Sequence, residues 1–305
     1  MNSCIVVQCF CKPYETIETL KSLEKCIEII DYNLLIYVDY SDNPKFAEKN
    51  KEVIEKISQY KLDNEHKYKS IRIEQNKHNE GPYLTCFNAI ELAFTYNDFV
   101  IFSEDDIIFC KDTINYYNNY RDKKIDYDEN CIGISSSSFY FFPSNNNIFE
   151  DKKNNKIVDT YIGIVNEIKA FINDNNLLNT IEHVKIAPNK QMGLFKDGWN
   201  KIKNFRDKKN HSYLYSRKSI YKKQVPDVAT SMFIKNSQYY FIFSFVPRSN
   251  DIGLYNELGC TQLYYDQQIG YCTTKFLTSD DFESNSNLYQ THPDIELFKH
   301  KTIIN

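Results

Sequence analysis

Residues 98–110 of the chain read Asp-Phe-Val-Ile-Phe-Ser-Glu-Asp-Asp-Ile-Ile-Phe-Cys. Positions 99–102 are apolar without alternation, the pattern of a strand covered on both faces of a parallel sheet. Three acids then stand side by side, Glu104, Asp105 and Asp106, before the apolar run resumes. Burying adjacent carboxylates without a counter-charge is costly, so this strand end must be solvated or must hold a cation. A divalent metal that bridges to a substrate diphosphate fits such oxygen ligands, while the simpler interpretation is a polar turn.

The sequence before this stretch alternates between apolar strands and amphipathic helices. This order predicts an α/β fold with a mostly parallel central sheet, flanked by helices that make the crossovers. The regular pattern stops near residue 140, and a strand-like segment is expected again at 230–234. The predicted strands cover residues 4–10, 33–38, 70–74, 99–102 and 131–140. Two of the predicted helices cover residues 46–60 and 111–124. A third predicted helix follows the first strand and has an apolar stripe formed by Ile17, Leu20, Leu23, Ile27 and Ile30.

Composition excludes several classes of protein. The net charge of −4 over 305 residues gives no reason to expect a nucleic-acid partner. No apolar run reaches the length of a membrane span, which leaves at most a peripheral membrane association. The nine Cys include no Cys-x-x-Cys pair, and most stand in apolar runs, as expected of core residues in a reducing compartment. The N-terminus lacks the features of a signal peptide, so we expect a cytoplasmic location.

Polar loops follow three of the predicted parallel strands and should open on one edge of the sheet. Ligands of such sheets bind beyond the carboxyl ends of the strands. A nucleotide there could have its base and ribose held by Asp39 or Asp42, and its diphosphate held by a metal on Asp106. A turn with side-chain caps is the alternative for the first two acids. No glycine-rich phosphate loop is present in the sequence, so a bridging metal is the natural replacement.

Several strings in the first 110 residues together resemble the GT-A-fold glycosyltransferases. The Glu-Asp-Asp form of the acidic motif is similar to that of the inverting N-acetylglucosaminyltransferase I-like and family-2-like group. The resemblance implies a Rossmann-like nucleotide-diphospho-sugar transferase fold in a single catalytic domain, 1–305. The strings are Ile-Val-Val-Gln-Cys-Phe-Cys-Lys-Pro at 5–13, Leu-Lys-Ser-Leu at 20–23, Tyr-Val-Asp at 37–39, Asn-Glu-Gly-Pro at 79–82 and Phe-Ser-Glu-Asp-Asp at 102–106.

The same resemblance implies an activity and a division of the chain. Residues 1–140 would bind the nucleotide-sugar donor, and residues 141–305 would shape the acceptor site. The reaction would be a metal-dependent, inverting transfer of a hexosyl or N-acetylhexosaminyl group. The expected donor is a UDP-sugar, the expected acceptor a glycan or polysaccharide, and the expected cofactor Mn²⁺ or Mg²⁺.

The resemblance also implies roles for individual donor-side residues. Lys12 would lie near the nucleotide, and Asp39 would accept a hydrogen bond from the base. Tyr83 stands where the family has a base-contacting residue of another type. Glu104 would reach the ribose and Asp105 the donor sugar. The remaining acid of the triplet, Asp106, would be the one that coordinates the metal ion.

Sugar transfer also needs a base, which in inverting enzymes comes from the second half of the chain. Asp227 is the first candidate, with a Pro-Asp turn as the structural alternative. Asp251 is the second candidate, in a segment similar to a loop-ordering element of bacterial relatives. Arg248, in the same segment, is available to the diphosphate. Trp199 could stack on an acceptor sugar, although a single Trp is more often part of a core.

Two other functions compete with glycosyl transfer. A nucleotidyltransferase on a related sheet would need a glycine-rich basic loop after the first strand, and residues 10–13, Phe-Cys-Lys-Pro, do not provide one. A sugar-nucleotide-binding or scaffold protein that has lost catalysis would keep the same fold. Measuring UDP release with and without manganese separates these possibilities.

Overall fold

In the computed structural model, a central sheet of nine strands organises the described part of the chain. From one edge to the other, its strands are β13 (Gln290–Thr291), β9 (Thr180–Val184), β11 (Tyr240–Ser244), β6 (Cys131–Ser135), β10 (Gln191–Phe195), β4 (Phe99–Glu104), β1 (Ser3–Cys9), β2 (Asn33–Val38) and β3 (Ser70–Gln75). The predicted α/β architecture, with a mostly parallel sheet between helices, is confirmed. The structure describes residues 1–123, 129–137, 150–151, 156–157, 169–185, 187–188, 191–208, 226–252, 278–282 and 290–291.

The first half of the chain supplies four parallel strands of this sheet. β1 pairs with both β2 and β4, and β2 pairs with β3, all in parallel. The parallel register carries the residues that follow β1, β2 and β4 to one edge, as the sequence predicts. The elements are β1 (Ser3–Cys9), α1 (Pro13–Leu23), β2 (Asn33–Val38), α2 (Ala47–Asn64), β3 (Ser70–Gln75), α3 (Gly81–Phe94), β4 (Phe99–Glu104), β5 (Ile107–Phe109) and α4 (Thr113–Asp122).

The central strands are apolar on both faces because a layer of helices covers each face. Along β1, Ile5 and Val7 join a cluster that includes side chains of α1, α2 and α4. Cys4 and Val6 point the other way, into a cluster with side chains of α3. All four side chains are almost completely buried. This two-sided burial explains why the strand sequences do not alternate between apolar and polar residues.

The second half of the chain extends the same sheet and introduces antiparallel pairs. β10 lies between β4 and β6 and is antiparallel to both. β11 is parallel to β6 and antiparallel to β9, while β12 forms a separate antiparallel pair with β5. The elements are β6 (Cys131–Ser135), β7 (Glu150–Asp151), β8 (Lys156–Ile157), β9 (Thr180–Val184), β10 (Gln191–Phe195), α5 (Lys196–Lys208), α6 (Pro226–Lys235), β11 (Tyr240–Ser244), β12 (Ser249–Asp251) and β13 (Gln290–Thr291).

Two predictions about local structure are wrong. Residues 230–234 lie inside helix α6, not in a strand, since Pro226 provides a favourable first helical position. Helix α1 ends at Leu23, so the last two members of its predicted stripe, Ile27 and Ile30, lie outside it and are 62% and 60% exposed. The chain turns there through Glu28, which has a positive φ of 67°.

The described helices and cysteines bear on two further predictions. None of these helices combines the length and the apolar character needed to cross a bilayer. The seven cysteines in the described residues are free and buried, which agrees with the prediction of core thiols. Burial raises the pKa of several of these thiols, including that of Cys4 to about 12, so they stay protonated at neutral pH.

Candidate functional site

The acidic triplet ends β4 at Glu104 and forms the turn to β5 with Asp105 and Asp106, and hydrogen bonds from three segments hold this turn in place. The backbone N–H of Phe10 donates to an Asp105 carboxylate oxygen over 3.1 Å. The Thr19 hydroxyl donates to the Asp105 carbonyl over 2.9 Å, and the Ile252 N–H donates to the Asp106 carbonyl over 2.8 Å. The side chains of Asp105 and Asp106 are only 7% and 4% exposed. The chain therefore buries two adjacent carboxylates and fixes the backbone that carries them.

Lys12 supplies positive charge to these two acids. Its ammonium lies 2.6 Å from a carboxylate oxygen of Asp106 and 3.5 Å from one of Asp105. Lys12 is the residue that precedes α1, where the loop after β1 turns into the helix. The ion pair thus joins the ends of the two neighbouring strands β1 and β4.

The ion pair and its burial change the acid–base properties of its members. Burial alone would lower the pKa of Lys12, but the carboxylates of Asp105 and Asp106 outweigh that effect and raise this pKa above its ordinary value. Burial raises the pKa of Asp105 to about 6, although Lys12 opposes the shift. The charge of Asp106 adds to the increase. Shifts of this kind, at a strand end that other loops also face, are typical of functional sites.

Asp39 directly follows β2 and connects the end of this strand to the start of α3. Its carboxylate accepts hydrogen bonds from the backbone N–H groups of Glu80 and Gly81 over 3.0 and 2.9 Å. The Asn76 side-chain amide donates to the same carboxylate over 2.8 Å. Gly81 has a φ of +75°, a conformation that glycine adopts without strain. Asp39 is therefore buried at the predicted edge with a clear structural role, and its predicted contact with the base stays a prediction.

The other predicted donor-side residues differ in their exposure. Asp42 is exposed in the loop after β2. Glu104 is half-buried at the end of β4, where it pairs in register with Gln8 of β1. Tyr83 is buried on α3, with its ring 4.8 Å from that of Phe87. Glu104 and Asp42 are thus accessible to a ligand at this edge, whereas Tyr83 lies within the protein.

Arg248 lies in the interior, with its side chain fully buried. The guanidinium carbon lies 4.8 Å from the centre of the Tyr116 ring. A diphosphate contact would require several of its internal bonds to break, so this geometry argues for a structural role. Its guanidinium nitrogens donate hydrogen bonds to Asp112, to the hydroxyl of Ser244, to the carbonyls of Val246 and Leu178, and to the side chain of Asn179.

Trp199 is also part of the core, which is the alternative that the sequence left open. It is 2% exposed on helix α5. Its ring centre lies 4.8 Å from that of Phe87 and 6.3 Å from that of Phe94. Its indole N–H donates to a carboxylate oxygen of Glu91. These contacts join α5 to α3 and leave the predicted acceptor contact without support.

The structure places the two candidate bases on different elements. Asp251 ends β12, opposite Ile107 of β5, which makes it a near neighbour of the acidic turn. It is partly exposed. Asp227 is the second residue of α6, the helix that continues to Lys235, and its side chain lies outside the described residues. Of the two candidates, the described geometry brings Asp251 to the acidic turn.

Two polar residues that organise this edge carried no signal in the sequence. The Asn50 side-chain amide donates to the carbonyls of Phe10 and Asp39, over 2.6 and 2.8 Å, and so ties the loops after β1 and β2 together. Thr19 fixes the acidic turn as described above. Both residues lie on helices within amphipathic patterns, where a polar position is ordinarily solvent-exposed. A buried polar residue on such a helix can be recognised only once the packing is known.

The donor set suits a cation that a substrate helps to bind. Carboxylate oxygens are the ligands that Mg²⁺ and Mn²⁺ prefer, and the Lys12 ammonium shows that positive charge is favoured next to Asp106. In the part of the chain that is described, no group of three or more His, Cys, Asp or Glu side chains is arranged to hold a metal ion. The described residues therefore fit a cation that takes most of its ligands from a diphosphate and water. They do not fit a metal site whose ligands all come from the protein.

Comparisons with known proteins found similarity only among solved structures, since no family model and no curated protein matches the sequence. The mannosyltransferase PcManGT from Pyrobaculum calidifontis, in complex with GDP-Man and Mn²⁺, is 10% identical with a TM-score of 0.44, over 81% of this chain and 57% of that chain. Residues 1–349 of S. aureus TarS are 14% identical with a TM-score of 0.41, over 83% of this chain and 61% of that chain.

The TarS segment has also been solved in complex with UDP, and there it is 15% identical with a TM-score of 0.37, over 82% of this chain and 60% of that chain. The chain thus spans less than two thirds of the length of each of these structures. Similarity at this level does not establish an activity.

Proposed function

We propose that this chain is a glycosyltransferase that moves a sugar from a nucleotide-diphosphate donor to an acceptor hydroxyl. The observation that carries the proposal is the buried carboxylate pair, Asp105 and Asp106, fixed at the carboxyl end of β4 and in contact with a cation from the neighbouring loop. Crevices at the carboxyl ends of parallel strands are where α/β proteins bind nucleotides. The resemblance of residues 5–106 to GT-A-fold enzymes supports the same assignment.

In the proposed reaction an acceptor hydroxyl oxygen attacks the anomeric carbon of the donor sugar. The new glycosidic bond forms as the bond from that carbon to the diphosphate oxygen breaks, and the electron pair leaves with the nucleoside diphosphate. A carboxylate takes the hydroxyl proton, and attack from the face opposite the leaving group inverts the configuration. Two chemical tasks follow for the protein, because it must hold a base near the hydroxyl and compensate the charge of the diphosphate.

A divalent cation, Mn²⁺ or Mg²⁺, would neutralise part of the negative charge of the diphosphate when bound. Asp106 is the residue that we propose as its protein ligand. Asp105 and Glu104 would then face the sugar and the ribose of the donor, with Asp42 and Asp39 toward the base. The resemblance favours a UDP-sugar as donor and a hexosyl or N-acetylhexosaminyl group as the part transferred.

We propose Asp251 and Asp227 as the two candidate bases. The neighbourhood of the acidic turn supports Asp251, because its strand pairs with β5 directly after the triplet. Asp227 remains a candidate from its position in the second half of the sequence. We further propose that residues 1–140 bind the donor and residues 141–305 shape the acceptor site. The acceptor would be a glycan or polysaccharide, and the reaction a step of polysaccharide biosynthesis at the cytoplasmic side.

A two-part experiment tests this function. A thermal-shift screen of nucleotide sugars, with Mn²⁺ and with EDTA, identifies the donor, since a ligand that binds only the folded state raises its stability. UDP release from the stabilising nucleotide sugar is then measured over time. We expect stabilisation by a UDP-sugar together with Mn²⁺, and continuous release of UDP. Stabilisation without any release, even with a panel of sugar acceptors, would indicate a sugar-nucleotide-binding protein without catalysis.

A further inference from the structure

The two partners of the ion pair at the acidic turn differ in their freedom to move. The backbone carbonyls of Asp105 and Asp106 accept hydrogen bonds from Thr19 and Ile252, and the Asp105 carboxylate also accepts one from the Phe10 N–H, so the turn that carries both acids is fixed. The Lys12 ammonium, by contrast, stands at the end of a flexible four-carbon side chain that is 19% exposed. The turn that carries the two acids therefore stays in place while the ammonium can leave. An exchange of cations at Asp106 would move only the lysine side chain.

The position of the ammonium conflicts with that of a metal ion. Lys12 approaches Asp106 to 2.6 Å, the distance of a direct charge-assisted hydrogen bond. A divalent cation that coordinates the same carboxylate would lie within a few ångström of the ammonium, where two positive charges repel strongly in a buried setting. The negative charge of Asp106 can thus be balanced by the lysine or by the metal, and the two states exclude each other.

A nucleoside diphosphate provides the displaced ammonium with a new partner. The diphosphate binds the metal through its oxygens and still carries negative charge on its remaining oxygens. Lys12 lies at the loop between β1 and α1, on the edge where the resemblance places the nucleotide. Lysine binds phosphate as a compact point charge with three rotatable donors, which suits a change of partner.

We infer that Lys12 is an internal counter-ion that competes with the divalent cation for Asp106 and moves to the donor diphosphate when metal and nucleotide bind together. This inference rests on the proposed function, since it takes the nucleotide and the cation from it. Lys12 is then a positioning residue that couples the two ligands. Metal alone must displace the lysine without compensation, whereas metal with nucleotide gives the lysine another anion.

The coupling has a measurable consequence for the affinity of the metal. Because linkage is reciprocal, UDP should tighten Mn²⁺ binding by the same factor by which Mn²⁺ tightens UDP binding. Removal of the ammonium abolishes the competition, so Mn²⁺ alone should bind more tightly to a Lys12→Met variant than to the wild type. The factor by which UDP tightens Mn²⁺ binding should shrink in that variant.

The experiment is a titration of Mn²⁺ followed by the EPR signal of the free ion, in the presence and absence of UDP and without any sugar transfer. It compares the wild type with Lys12→Met and with Lys21→Met, a matched control on the outer side of α1, where the Lys21 side chain is 57% exposed. We expect Lys12→Met to bind Mn²⁺ alone at least about tenfold more tightly than the wild type. The Lys21→Met control should match the wild type in both titrations. Equal or weaker Mn²⁺ binding by Lys12→Met would overturn the inference.

A measurement on the wild-type chain keeps the inference testable if Lys12→Met does not fold. Reductive methylation of lysines, quantified by mass spectrometry, reports how accessible the Lys12 ammonium is. Saturating Mn²⁺ should increase methylation of Lys12, and addition of UDP should reduce it again, while Lys21 stays constant. Unchanged methylation of Lys12 in saturating Mn²⁺ would contradict the competition.

These outcomes separate the inference from the proposed function. If the wild type turns over a UDP-sugar while Lys12→Met shows no gain in Mn²⁺ affinity, the competition is wrong and the activity stands. If neither protein binds Mn²⁺, the inference fails together with the metal requirement. Turnover in EDTA would then show that the transfer itself continues without a metal.

Discussion

The backbone N–H of Ile252 donates a hydrogen bond to the carbonyl of Asp106 over 2.8 Å, and this bond ties the second half of the chain to the acidic turn. It continues the ladder between β12 and β5, in which Asp251 stands opposite Ile107. A carboxylate of the second half is thereby held beside the proposed donor site. Main-chain hydrogen bonds set the position of Asp251 in this ladder, so substitution of the Asp251 side chain should leave the turn in position.

We predict that Asp251→Asn lowers kcat for sugar transfer by about 10² to 10⁴-fold, the usual contribution of a general base. The amide is nearly isosteric but cannot accept the acceptor proton at neutral pH. Steady-state kinetics with the identified UDP-sugar measure the effect, and thermal denaturation checks that folding is unchanged. Full activity of Asp251→Asn, combined with loss of activity in Asp227→Asn, would assign the base to Asp227.

Asp39 should contribute to stability through its hydrogen bonds to the start of α3. Asp39→Ala leaves the N–H groups of Glu80 and Gly81 without this acceptor, so we expect a loss of about 2 to 4 kcal/mol in the free energy of unfolding. Urea denaturation measures the loss. Asp42→Ala, at an exposed acid of the same loop, serves as control and should change stability by less than about 0.5 kcal/mol. Equal effects of the two substitutions would contradict the structural role of Asp39.

Asp105 should make the stability of the metal-free chain depend on pH. Its pKa is raised in the folded state from 3.8 to about 6, so the folded chain binds this proton more tightly than the unfolded chain does. The contribution of Asp105 to stability is therefore present below about pH 4 and is lost as the pH rises through about 6. Relative to Asp105→Asn, the wild type should lose about 2 to 3 kcal/mol between pH 4 and pH 7.

Urea denaturation of both proteins in EDTA, at several pH values, measures this difference. Asp63→Asn controls for a general effect of removing one acid, because Asp63 is exposed near the end of α2 and accepts a hydrogen bond from the nearby Gln59 side chain. A constant difference between wild type and Asp105→Asn across the pH range, or a wild type that gains relative stability as the pH rises, would show that the pKa of Asp105 is not raised.

Arg248 should be required for folding and not for binding of the donor. Arg248→Met removes the cation that pairs with Asp112 and several internal hydrogen bonds, and loss of one member of a buried pair costs about 3 to 5 kcal/mol. Chemical denaturation measures the loss in the free energy of unfolding, with Arg72→Met as the control. Arg72 forms an exposed ion pair with Glu74, so its substitution should cost less than about 1 kcal/mol. A stable Arg248→Met variant with a raised KM for the nucleotide sugar would instead support the diphosphate contact.

An element of this fold could be predicted from the sequence only as far as its own residues determine its structure. β2 has the predicted bounds, residues 33–38, because a continuous apolar run stands between polar residues. Helix α1 ends earlier than its apolar stripe suggests, since residues beyond a helix can continue its spacing by chance. A five-residue segment such as 230–234, Thr-Ser-Met-Phe-Ile, is compatible with either a strand or a helix, and only the packing against neighbouring elements decides between them.

The site was predictable in outline, because parallel strands bring the loops after β1, β2 and β4 to one edge whatever their side chains are. The contacts at that edge were not predictable. Lys12 and Asp106 are 94 positions apart, and neither residue carries a local signature of its partner. The same applies to Arg248 and Trp199, because an Arg can bind an anion or pair inside a core, and a Trp can stack on a sugar or pack among other rings. Their burial is decided by elements that are distant in the sequence.

The most direct test of the central claim, that a nucleotide sugar is held at the acids after β4 through a cation on Asp106, is UDP release by the Asp106→Asn variant. The assay compares wild type, Asp106→Asn and the Asp63→Asn control with the identified UDP-sugar, in Mn²⁺ and in EDTA. We predict Mn²⁺-dependent release by the wild type and by the control, and a decrease of at least about 100-fold in Asp106→Asn. Full Mn²⁺-dependent release by folded Asp106→Asn would contradict the claim.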